Sequence, residues 1–103
     1  MSVKVMGEVF DTDLPKPIKF LLLAMADHAD HDGANVRPGV RLLALKTSDS
    51  ERNVRRLIGQ LEATGIIKAV AYRSGGHGRA TNWRIDLEEL HRRLRGEEPN
   101  PAA

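Results

Sequence analysis

The stretch from Ser48 to Gly65, Ser-Asp-Ser-Glu-Arg-Asn-Val-Arg-Arg-Leu-Ile-Gly-Gln-Leu-Glu-Ala-Thr-Gly, limits what this chain can fold into more than any other. Ser50 has the chemistry of a helix N-cap, because its hydroxyl can accept from the free amides of a first turn. Val54, Leu57, Ile58 and Leu61 fall at i, i+3, i+4 and i+7 and form one apolar stripe. Gly65 stands where a left-handed residue would stop the helix. Opposite the stripe lie Arg52, Arg56, Gly59 and Ala63, with Asn53 and Gln60 on one flank and Arg55 on the other. Guanidinium forks and carboxamides on one solvent face suit the DNA major groove, where Arg pairs with guanine edges and Asn or Gln with adenine. A solvated amphipathic helix with ordinary surface arginines would look the same, so the decision falls to the rest of the chain.

The charge distribution favours the first reading. The net charge is only +2, but residues 33–84 hold ten Lys or Arg against Asp49, Glu51 and Glu62. Both flanks are net acidic. A positive centre of this kind is the footprint of a polyanion-binding surface. One hundred and three residues make one domain with a single modest core. With one Trp, one Tyr and two Phe, that core must be built mostly from Leu, Ile, Val and Ala. The absence of cysteine excludes disulfides, thiolate zinc sites and cysteine nucleophiles. It fits a cytoplasmic protein, as does the lack of a secretion signal at the N-terminus. The longest apolar run, Phe20 to Ala26, is far short of a membrane span.

Taken in order, residues 1–10 contain an alternation at Val3 and Val5 that suggests an N-terminal arm or edge strand. Asp13 and the prolines at 15 and 17 read as a helix start. Ile18, Leu21, Leu22, Met25, Ala26 and Ala29 continue its buried face. His28 and His31 follow near its end, where protonated imidazole would suit the helix dipole. The cluster Asp27-His28-Ala29-Asp30-His31-Asp32-Gly33 lacks the ligand series of a calcium loop and the four ligands of a structural zinc site. It reads as a solvated helix end and an Asp-Gly turn. Asn35-Val36-Arg37 is a brief extended segment before Pro38. A short helix with Val40, Leu42 and Leu43 inward should end near Lys46, and a tight turn leads into the helix that starts at Ser50. Ile66 to Arg73 and Thr81 to Leu87 read as the strands of a hairpin whose glycine-rich tip carries Arg73, His77 and Arg79. Asp86-Leu87-Glu88-Glu89 has capping-box spacing, so residues 88–96 should form a short last helix. Residues 97–103 look disordered.

The order of helix, short strand, helix, turn, helix and basic hairpin is that of a winged helix, and here the chain resembles a family. Leu14-Pro15 through Leu22-Leu23-Ala24-Met25-Ala26-Asp27-His28-Ala29 to Asp32-Gly33, then Pro38, Leu42 to Leu45, Ser50 to Arg56 and Leu61 to Ile67 are similar to winged helix-turn-helix domains. Such domains occur in phage and plasmid replication proteins and in small transcription regulators. The resemblance implies an α+β, mostly helical fold over residues 11–87, with a three-helix core and a β-hairpin wing. It also implies duplex DNA as partner. On that template Arg52, Asn53 and Arg56, with Ser50 and Gln60, are candidates for base edges. Gly39, Arg41, Lys46 and Arg55 are candidates for phosphates, and Arg73, His77 and Arg79 for the backbone or minor groove. Two departures stand out. Gly39 occupies a position where such domains often carry a phosphate-contacting Ser, and Ser48-Asp49 replaces the usual Gly-apolar turn.

The main alternative is a winged helix that binds protein rather than DNA, in a replication or partition complex. Catalysis is not expected, since no nucleophile set, paired-carboxylate cleft or Gly-Lys-Ser/Thr loop can be assembled. No cofactor is implied. A lone winged helix reads few base pairs, so a homodimer or DNA-dependent self-association is expected. Leu87, Leu90 and Leu94 on the last helix could supply that contact, or could fold back onto their own chain.

Overall fold

The computed structural model describes residues 1–71 and 81–95. Among these, five helices and one hairpin follow in the order α1 (Val3–Phe10), α2 (Lys16–Ala26), α3 (Val40–Thr47), α4 (Glu51–Thr64), β1 (Ile67–Ala71), β2 (Asn82–Ile85) and α5 (Leu87–Arg92). This is an α+β winged helix-turn-helix. The core is aliphatic, as the scarcity of aromatic residues requires. Leu21, Leu22 and Met25 of α2 meet Leu43 of α3 and Val54, Leu57, Ile58 and Leu61 of α4. Ile66, Ile67 and Ile85 close the cluster from the hairpin side.

Helix α4 forms as its caps dictate. The Ser50 hydroxyl accepts from the Asn53 amide at 3.0 Å, and Gly65 adopts φ 82°. The entry to α2 differs from expectation: Pro15 holds the N-cap position without a side-chain bond, and the Asp13 amide donates instead to the Arg93 carbonyl at 2.9 Å. The helix ends at Ala26, but Ala29 stays buried beyond it. On α3 the inward stripe is Val40, Leu43, Ala44 and Thr47, so Leu42 is exposed rather than inward. Val40, Leu43, Ala44 and Thr47 have the i, i+3, i+4, i+7 spacing that one helix face can bury, and Leu42 falls off it.

Residues 3–10 are helix, not an edge strand. Ser2 caps α1 by accepting from the Val5 amide at 3.1 Å, and its buried hydroxyl lies 3.2 Å from His31 Nδ1. Val5 and Val9, one turn apart, are fully buried.

The strands pair antiparallel, with Ile67 opposite Ile85 and an irregularity between Ala69 and Ala71. Val36 adds a third position by exchanging two backbone bonds with Trp83, at 2.8 and 2.9 Å. Gly33 is equally tied, because its carbonyl accepts from the Ile85 amide at 2.8 Å. Asp86 caps α5 through the Glu89 amide and meets Lys68 Nζ at 2.7 Å, fastening strand to helix. The last helix stops at Arg92. Its Leu90 is fully buried, and Leu94 forms a bridge with Thr12, so this segment folds back onto the α1 region of its own chain. Residues 96–103, where the helix end and disordered tail were expected, lie outside the described residues, as does the hairpin tip with Arg73, His77 and Arg79.

Candidate nucleic-acid interface

Two helices and the turn between them make the candidate surface. Gly39 caps α3 without a side-chain bond, so the first amides of that helix receive no bond from their cap residue, as an anion site would require. Arg41 follows on the exposed side. At the other end of α3, Ser48 takes φ 55°, ψ 45°, the left-handed conformation usually given to glycine. Its amide donates to the Leu45 carbonyl at 3.4 Å, and the Asp49 amide to the Ala44 carbonyl at 2.9 Å. A side chain in this region costs about 1–2 kcal/mol, partly offset because serine loses less chain entropy than glycine on folding. Ser48→Gly should therefore raise stability by about 0.5–1 kcal/mol in urea unfolding. A loss of stability would mean that the hydroxyl, not the backbone angle, matters here.

Beyond the turn, polar side chains form a chain along the start of α4. Asp49 accepts from the Ser50 amide at 2.8 Å and from Asn53 Nδ2 at 2.6 Å. Asn53 Oδ1 in turn accepts from Arg56 Nε at 3.0 Å and Nη2 at 2.7 Å. The carboxylate thus orients the carboxamide, and the carboxamide orients the guanidinium. Arg56 is exposed and holds a fixed posture on the outer ridge. Asp49, which replaces an apolar residue of the family pattern, is engaged within this network rather than left facing a polyanion. Arg52 and Gln60 are exposed on the same ridge and bond no described residue. Arg55 stands to one side in an exposed pair with Glu51 at 3.4 Å. An open depression lined by Arg41, Ala44, Leu45, Ser48, Asp49, Ser50 and Glu51 lies in the angle between the two helices.

Gly59 lies on the ridge, and a Cβ there would meet nothing within 4 Å. No packing within the chain demands glycine at this position. Gly59→Ala should stabilise the free protein by about 1 kcal/mol, measured by thermal unfolding. If α4 approaches a duplex closely at this point, the same variant will bind DNA more weakly despite its greater stability.

Lys46, a phosphate candidate by sequence, is half-buried and bonded within the chain. Its Nζ donates to Asp27 Oδ2 at 2.5 Å and sits 2.8 Å from His28 Nε2. This joins the end of α2 to the end of α3 and fixes the frame on which α4 is set. Lys46's hydrogen bond and charge hold the Asp27 carboxyl below its ordinary value of 3.8. Burial first, and then the Lys46 ammonium, hold the His28 imidazole below its ordinary value of 6.5. The Lys46 ammonium can only donate, so His28 Nε2 is the acceptor of this pair. Because both folded-state values are depressed, both groups stabilise the fold above their unfolded values. The His28 contribution falls away below about pH 6.5, and the Asp27 contribution below about pH 4. Wild type should lose more thermal stability than His28→Gln between about pH 7.5 and 5.5. Parallel pH profiles would contradict this assignment.

The sequence reading did not identify the Asp27–His28–Lys46 junction or the Asp49–Asn53–Arg56 relay. The relay had a local signal, since Asp49, Asn53 and Arg56 are spaced i, i+4, i+7 and share a helix flank. The junction had none, because eighteen or nineteen residues separate its partners. Among the described residues, no helix is long and apolar enough to cross a membrane.

No curated protein and no solved structure matches the chain. A family model does match, described as a helix-turn-helix domain and aligned to residues 12–67. That span runs from the residue before Asp13 to the first residue of β1, and takes in α2, α3, the Ser48 turn and the whole of α4. Helix-turn-helix domains are DNA-binding modules that place the second helix of the pair in the major groove. With more than half of its length matched and with the two helices and turn in place, this chain belongs to the helix-turn-helix domain family.

Proposed function

We propose that the chain is a sequence-reading duplex-DNA-binding protein of a mobile element, acting in replication initiation or transcription control. Helix α4 enters the major groove, and the hairpin after it lies along the backbone or in the minor groove. One observation carries this reading above the others: the outer ridge of α4 presents Arg52, Arg56 and Gln60 to solvent, with Asn53 holding Arg56 in place. Arg52 and Arg56 are assigned to guanine edges and Gln60 to adenine. Asn53, a base-edge candidate by sequence, is assigned to positioning the Arg56 fork, because Asp49 and Arg56 occupy its amide. Ser50 remains the helix cap and contributes at the rim. The α3 amides at Gly39, together with Arg41 and Arg55, are assigned to phosphates. Arg73, His77 and Arg79 would contribute at the wing. Lys46 supports the frame instead. The likeness to phage and plasmid replication proteins motivates the biological role.

A salt titration tests the reading. Fluorescence polarisation with a duplex should show affinity falling by at least about tenfold to a hundredfold between roughly 50 and 200 mM salt, as several phosphate contacts require. Flat affinity over that range, or no binding at low salt, would contradict it. Exposed Leu42 and Leu45 on the outside of α3 favour a second reading, in which the domain docks on protein; a flat salt response would point there.

A further inference from the structure

Helix α1 has two faces, and the fold uses one of them. Val5 and Val9 are fully buried, whereas Val3 and Phe10 are 72% and 60% exposed. At 100° per residue, Gly7 lies directly opposite the buried pair. Val3 and Phe10 flank it on one side, and Lys4 and Asp11 on the other. Helices that are apolar on both faces are ordinarily covered on both. A Cβ at Gly7 would meet nothing within 4 Å, so the monomer gives no reason for glycine in the middle of a short helix. The Lys4 and Asp11 side chains bond no described residue.

We propose that this outer face of α1 is a two-fold pairing surface for a second copy of the chain, with the helices antiparallel and crossing at Gly7. The argument is one of self-complementarity. A two-fold axis normal to the plane of two antiparallel helices keeps each flank facing the same flank while reversing direction. Val3 and Phe10 lie four and three residues from Gly7 on opposite sides, about 6 and 4.5 Å along the axis. Val3 therefore meets the partner's Phe10. By the same arithmetic Lys4 meets the partner's Asp11, and both contacts occur twice. Apolar flank covers apolar flank, and opposite charges pair. Glycine at the crossing allows the axes to approach at the short end of the usual range. Of the leucines on the last helix, Leu90 is fully buried in its own chain and so takes no part in such a contact.

Two eight-residue helices bury less than roughly 1,000 Å², so the pairing is weak in free solution. It would strengthen where two copies are held together, as on neighbouring half-sites; that consequence rests on the proposed DNA binding, and the pairing itself does not.

Sedimentation equilibrium of the full chain, without DNA, from about 10 µM to 1 mM should show a reversible monomer–dimer equilibrium in the upper part of that range. Gly7→Gln should abolish it without lowering the thermal unfolding midpoint. Lys4→Glu and Asp11→Lys should each weaken it by at least about fivefold, and the double exchange should restore it. Both changes suit the α1 dipole, so neither should harm the helix. A monomer at every concentration, a dimer indifferent to Gly7→Gln, or a double exchange that fails to recover pairing would each overturn the proposal. Because no DNA is present, none of these outcomes bears on base reading by α4.

Discussion

Gly33→Ala should destabilise the protein by about 2–4 kcal/mol, a large share of the roughly 5–15 kcal/mol that holds a domain of this size together. Two causes act at one atom. Gly33 has φ +85°, which an L side chain rarely adopts, and an added Cβ would stand 2.3 Å from the Ile85 carbonyl oxygen. That oxygen belongs to backbone and cannot rotate aside. Relief would require the Gly33 carbonyl to leave the Ile85 amide, loosening β2 from the segment that carries Val36. The damage should therefore appear first at the hairpin, as faster amide exchange at Ile85 and Trp83, and as a lower urea midpoint for the whole domain. Gly59→Ala is the natural control, since the same substitution there meets open space. A Gly33→Ala protein as stable as wild type would mean that the turn after α2 does not hold the hairpin in the way described.

The second large effect concerns the ridge. Arg52→Ala and Arg56→Ala should each cost about 1–3 kcal/mol on a selected DNA site and relax preference at the base each one reads. On random duplex the loss should be smaller. Arg79→Ala, assigned to the wing, should weaken all sequences alike and reduce the salt slope. Asn53→Ala acts through Arg56. It frees the Arg56 guanidinium, now held by Asn53 Oδ1 at 2.7 and 3.0 Å. Its effect should consequently be non-additive with Arg56→Ala. Competition binding with selected and random duplexes measures all four. Equal losses on both DNAs for ridge and wing variants would break the division between base readers and phosphate contacts.

Where the sequence was informative, the reason was local. Helix α4 could be read because its cap, its apolar stripe and its terminal glycine all lie within Ser50 to Gly65, and each acts through neighbours a few residues away. The hairpin was legible from its β-branched runs, although β1 begins at Ile67 rather than Ile66, and Asn82–Ile85 is shorter than the stretch that suggested it. Misreadings arose where distant residues decide. Val3 and Val5 alternate like a strand, but Val5 and Val9 also fit a helix face, and the buried Ser2 cap leans on His31, twenty-nine residues away. Lys46 gave no sign of its bonds to Asp27 and His28, because these lie just past the end of another helix. Ser48 stands where the resembling domains carry glycine, but its left-handed backbone is imposed by its place between two packed helices rather than by its own residue type. Leu42 was drawn inward by its hydropathy, but the spacing of Val40, Leu43, Ala44 and Thr47 had already filled the inner face.

Base reading by α4, as proposed, takes place on the major-groove edge. Guanine N7 is an acceptor on that edge alone, and 7-deazaguanine removes it while leaving base pairing and the minor groove unchanged. Affinity should be measured on a duplex selected by the protein, with each guanine replaced in turn. Replacement should cost about tenfold at one or two positions, with no further loss there in the Arg52→Ala or Arg56→Ala protein that lacks the matching fork. Replacement without effect at every guanine, or losses that persist unchanged in both arginine variants, would contradict base reading by α4.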